Sequence, residues 1–209
     1  MSAWTWTFVK AEHIPHDIVV KICEKSIKDI SDFDWMKNTE EKALKRWLNN
    51  HKKYYDYYVN ECGIPPENMT KEYLTEEFYK YRHRGNLSLS IYEDAIDGKT
   101  SFDEALRTLV VEKKGTGYPM CKLIDDKIWV KIPYEIFRYR FYSDMLVDNG
   151  LKTIDDLIGY LRAGIQERIY DFAENVESDN GSGLTPQLEA RLREFYSQFG
   201  DGNFSVHFG

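Results

Sequence analysis

Cysteine is scarce in this chain. Only Cys23, Cys62 and Cys121 occur, far apart and without a Cys-x-x-Cys spacing. An odd count in that arrangement argues against a disulfide framework and a zinc knuckle, and predicts reduced thiols. Long apolar runs are missing as well, since none approaches the ~20 residues a membrane span requires. The first nine residues alternate polar and apolar, without the basic start and continuous apolar core of a secretion signal. These absences point to a cytoplasmic protein and away from a membrane. There is no internal repeat and no low-complexity tract.

Catalytic signatures are absent too. No Gly-x-Ser-x-Gly elbow, His-Glu-x-x-His helix, kinase set, Rossmann turn or EF-hand loop is present. Lys113-Lys114-Gly115-Thr116-Gly117 lacks the Gly-Lys-Ser/Thr and following helix of a phosphate loop. These gaps lean against an enzyme, and no cofactor is expected.

What the chain does have is aromatic residues, 15% of its 209 positions, which is far above a disordered composition. A chain of this length buries roughly 70% of its unfolded surface. One domain over residues 1–209 is the expectation, with a flexible connection at 178–184 around Asn180-Gly181-Ser182-Gly183, before a last helix and strand. The net charge is −7, and the excess is local. Residues 148–201 hold 11 Asp and Glu against 5 Lys and Arg, whereas residues 1–84 hold 14 of each. An acidic protein repels phosphate backbones, so direct nucleic-acid binding is disfavoured and a basic protein partner is favoured.

Periodicity predicts an α+β fold, mostly helical, with six to seven helices and a small, mainly antiparallel sheet. Trp4, Trp6 and Phe8 alternate with Thr5 and Thr7, as a strand requires. Helices are expected from Pro15 to Ile30, from Thr39 to Cys62, and from Thr70 to a stop at Gly85. Leu87-Ser88-Leu89-Ser90-Ile91 alternates like a strand, although Ser90 and Glu93 also fit a capping box. Ser101 and Glu104 form a second such box. A hairpin is expected near 118–133, turning at Asp125-Asp126. Further helices are expected over Tyr134–Val147, from Thr153 to Phe172, and from the Thr185-Pro186 cap to Gly200. Asn203–Phe208 reads as a final strand, so strands stand at both termini and could pair.

Several residues qualify as sites. His13, His16 and Asp17 could converge on a divalent ion, with His51 or His207 brought close by folding. Arg82 and Arg84 sit in a basic knot with His83, either clamping an anion or complementing a helix dipole. Arg138 and Tyr142 belong to a basic–aromatic stretch that divides between core and contact edge. In Tyr54-Tyr55-Asp56-Tyr57-Tyr58 some rings must face solvent, and Tyr54 and Tyr57 are the candidate contacts. The leading expectation is an acidic protein-interaction module, of which an inhibitor or immunity-type protein acting on a basic partner is one form. The alternatives are a small metal-dependent hydrolase using His13, His16 and Asp17, and a structural or assembly subunit.

Overall fold

The computed structural model describes residues 3–137, 139–143, 150–163, 166–171, 176–179 and 184–208. The chain divides into two compact units: a sheet unit, Met1–Ile22 with Pro119–Gly209, and a helical unit, Cys23–Tyr118. The division falls inside the first helix. In chain order the elements are β1 (Ala3–Lys10), α1 (His16–Ser31), α2 (Asp34–Lys37), α3 (Glu40–Lys53), α4 (Tyr55–Asn60), α5 (Lys71–Ile96) and α6 (Phe102–Leu106). There follow β2 (Cys121–Ile124), β3 (Lys127–Lys131), β4 (Tyr139–Ser143), α7 (Ile154–Arg162), β5 (Gln166–Asp171), β6 (Val176–Asp179), α8 (Pro186–Ser197) and β7 (Phe204–Phe208). This is the expected α+β class. Among the described residues no helix is long and apolar enough to cross a membrane.

In the sheet unit every strand pairing is antiparallel, in the order β2–β3–β1–β4–β5–β6, with β7 also on β1. The terminal strands do pair: Thr5 stands opposite Phe208 and Val9 opposite Phe204. The hairpin turns where expected. Asp125 and Asp126 take φ of 49° and 58°, the left-handed pair that a two-residue turn matched to strand twist demands.

Alternation sorts β1 into two faces. Thr5, Thr7 and Val9 are buried together with Phe204 and Val206 of β7 and Ile128 and Val130 of β3. The Thr7 hydroxyl lies 2.8 Å from Tyr196 Oη, and the Tyr196 ring packs 4.7 Å from that of Phe204, so α8 covers this face. Each fully buried side chain of that size contributes about 1.5–3 kcal/mol. Thr153 and Thr185 cap α7 and α8, as expected.

The sheet is larger than the sequence suggested. Residues 139–143 form β4, not part of a helix over Tyr134–Val147, and residues 166–171 form β5, not the end of a helix to Phe172. Both segments carry apolar residues that fit either period. The register Arg140 with Tyr170, Phe141 with Ile169 and Tyr142 with Arg168 satisfies both backbones, a partner no local window contains. Most of the expected 178–184 connection, residues 180–183, lies outside the described residues, as do residues 144–147 of the expected helix.

In the helical unit two boundaries move. The expected Thr39–Cys62 helix breaks at Tyr54, whose φ and ψ are −110° and 36°. In an unbroken helix His51 and Tyr58 would stand about 10 Å apart along the axis. The break stacks their rings 4.0 Å apart instead. Gly85 does not stop α5, which runs through it for 26 residues and absorbs Leu87–Ile91. A Cβ at Gly85 would come within 2.8 Å of Met36 Sδ and Trp35 Cζ3, so this glycine lets α2 approach α5. Ser88 sits mid-helix, donating to the Arg84 carbonyl at 3.0 Å and accepting from the Thr116 N–H at 2.9 Å. The Ser101–Glu104 capping box forms in full.

Candidate functional site

The other face of β1 carries the half-buried Trp6 and Lys10 with Phe8 between them, which is itself buried. Directly opposed residues of antiparallel strands share a face, so register decides their company. Phe8 stands between Lys131 of β3 and Ser205 of β7, Lys10 opposite Trp129, Trp6 opposite His207, and Trp129 opposite Lys122 of β2. Aromatic and cationic side chains thus alternate across β2, β3 and β1, with Ser205 and His207 of β7 at the side.

On this face lies a cleft of about 300 Å³. Lys10, Lys122, Lys127 and Lys152 line it with Phe8, Trp129, Ile124, Ser205 and His207, and among the described residues Asp125 is its one acid. Lys122 Nζ stands 3.8 Å from the centre of the Phe8 ring, and Lys10 Nζ 5.4 Å from that of Trp129. Lys10 also donates to Asn203 Oδ1 at 3.1 Å. Lys127 pairs with Glu12 at 2.9 Å. Among the described residues it is the one cleft lysine with a carboxylate partner. Lys131 adds a further cation on the same face, 3.1 Å from the Trp6 ring centre.

His207 feels both its burial and two of these ammonium groups. Its Nε2 is 2.8 Å from Ser205 Oγ, and its ring meets Phe8 edge-on at 5.8 Å. Burial first, then the charges of Lys122 and Lys152, hold its pKa below the usual 6.5. The imidazole is therefore neutral at pH 7 and offers one donor and one acceptor. Gly150, at φ 67°, lies against Ser205 and His207, where a side chain would overlap both. Leu151 is tied to Val206 by backbone hydrogen bonds of 2.8 Å in each direction, which fixes that approach.

The residues singled out from sequence are dispersed. His13 is exposed, 3.8 Å from Glu12, and His16 and Asp17 are exposed at the start of α1. Among the described residues no three His, Cys, Asp or Glu side chains group to hold a metal ion. His51 is buried in the helical unit, its Nδ1 donating to the Trp47 carbonyl at 2.9 Å. Arg82 donates to the Trp35 carbonyl at 2.6 Å, a structural bond, while Arg84 is exposed. Tyr54 and Tyr57 are exposed at 49% and 57%. Arg138 lies outside the described residues. Tyr142 is described only by its place in β4, opposite Trp4 and Arg168. Of the thiols, Cys23 is buried and Cys62 exposed.

No family model, curated protein or solved structure matches this chain. The cleft lysines escaped the sequence reading because they come from β1, β2, β3 and the segment before α7. One signal was present: Lys127 and Lys131 alternate with Ile128 and Val130 along β3, and Lys122 stands between Cys121 and Leu123 on β2.

Proposed function

We propose that the sheet unit is a binding module for a small anion, a phosphate- or carboxylate-bearing molecule held in the lysine cleft. The supporting observation is local charge reversal. Among the described residues Lys122 and Lys152 have no carboxylate partner, and with Lys10 they converge on His207, in a unit whose own sequence carries 17 Asp and Glu against 12 Lys and Arg. Keeping four lysines together with only Asp125 and Glu12 beside them costs free energy, which a bound anion returns. Size decides between a small ligand and a polymer. A cleft of about 300 Å³ is at the lower end for a small-molecule pocket. The surrounding negative charge repels an extended phosphate backbone.

Thermal denaturation with inorganic phosphate, pyrophosphate and citrate tests it. A ligand at a hundred times its Kd adds about 2.7 kcal/mol, or roughly 5–10 °C for a chain of this size. Lys122→Gln with Lys152→Gln should abolish the shift. An equal shift in that double variant, or none in the parent protein, would sink the proposal.

A protein-interaction role rests on a separate observation: Tyr54, Tyr55 and Tyr57 are exposed at 49%, 42% and 57%. Exposed tyrosine is enriched at interfaces. The acidic segment lends less support, since Glu189 and Asp155 are engaged by Arg162 and Arg193. The test is a partner recovered from host extract at low salt and lost with Tyr54→Ser and Tyr57→Ser. Retention of that partner by the double variant counts against this role.

A further inference from the structure

We infer that the ligand of this cleft is a nucleoside monophosphate, bound with its phosphate among the lysines and its base against Trp129. This rests on the anion-binding reading above and adds the class of ligand. The cleft combines three chemistries, and a bare anion would use one of them. The cations Lys122 and Lys152 flank His207 at one end. The part-exposed Trp129 indole lines the same space, and with the Lys10 ammonium over its ring it offers a flat surface for a base to stack on beside a cation. Asp125, held in the left-handed turn, is the one carboxylate acceptor among the described lining residues, suited to an amino or hydroxyl donor.

Their spacing fits one molecule. Phe8 lies opposite Lys131, so Trp129, two residues earlier on β3, is its diagonal neighbour, about 7–8 Å away. The Lys122 ammonium stands over Phe8, so a phosphate drawn to it lies one diagonal step from the indole. That step matches the reach from a base to its 5′-phosphate. The cleft volume of about 300 Å³ leaves room for one nucleotide rather than a strand.

The test is calorimetric titration of the full chain with inorganic phosphate, ribose 5-phosphate, adenosine and adenosine monophosphate. Base–aromatic stacking predicts that the nucleotide binds about tenfold more tightly than ribose 5-phosphate. Trp129→Leu should remove that surplus and leave ribose 5-phosphate affinity unchanged. Lys122→Gln should weaken both. Trp129→Phe, which keeps a ring in the strand, should retain part of the surplus if the leucine variant fails to fold. Equal affinity for the nucleotide and ribose 5-phosphate would overturn the nucleotide assignment and leave the anion site standing. No binding of any phosphate would overturn both. Adenosine binding as tightly as its monophosphate would also overturn both. A six-residue oligonucleotide bound a hundredfold more tightly than the monophosphate would replace the mononucleotide with a strand.

Discussion

Replacing Gly150 with alanine tests how the floor of the cleft is built. Two costs add. The residue sits at φ 67°, where a side chain meets its own carbonyl at about 1–2 kcal/mol. The new Cβ would also overlap Ser205 Oγ and come within 2.9 Å of His207 Cε1. Retreat is blocked on one side by the paired Leu151–Val206 hydrogen bonds and on the other by Ser205, which is 4% exposed. Overpacking of this kind costs about 1–3 kcal/mol. Gly150→Ala should therefore destabilise the protein by about 3 kcal/mol, a urea midpoint shift of about 1–2 M at unchanged slope. Ser205→Ala removes the overlapped oxygen, so in that background the same change should cost at least about 1 kcal/mol less. Denaturation of the four proteins of this cycle measures both numbers. A loss under 0.5 kcal/mol for the single variant, or strict additivity in the cycle, would refute the packing described.

Proton NMR should find His207 titrating below the usual 6.5, with Lys122→Gln or Lys152→Gln moving it upward, because each removes a cation that opposes protonation. As pH falls through 6.5 the unfolded histidine takes its proton first, so stability declines until the folded His207 protonates, and above that range it contributes nothing. A bound anion should raise the His207 pKa, and a downward shift on binding would contradict the site. Gly85→Ala sets a helix-propensity gain of about 1 kcal/mol against a clash costing about 1–3 kcal/mol. Net destabilisation is expected by thermal unfolding, and net stabilisation would mean α2 does not pack there. Tyr196→Phe should cost about 1–2 kcal/mol by leaving the buried Thr7 hydroxyl unpaired, with part recovered in combination with Thr7→Val. A neutral Tyr196→Phe variant would show that the bond carries no stability.

The sequence by itself determined what closes within a few residues. The Ser101, Thr153 and Thr185 caps each bond an N–H three positions on, and the Asp125-Asp126 turn joins strands that are neighbours in the chain. Such features need no distant partner, so spacing alone reveals them. The alternation at both termini also marked β1 and β7 as strands. Tertiary structure decided whatever depends on distant residues. Thr7 meets Tyr196 across 189 positions, and β4 and β5 are strands because each supplies the other's hydrogen bonds. Gly85 looks like a stop until Trp35 and Met36 are seen against it. The cleft belongs to the same class. A net charge of −7 averages over the whole surface, whereas β-sheet register sorts individual side chains by face. Register gathers Lys10, Lys122 and Lys127 beside His207, and the approach of Gly150 to β7 brings Lys152 next to them, so an acidic chain acquires a cationic site that its composition conceals.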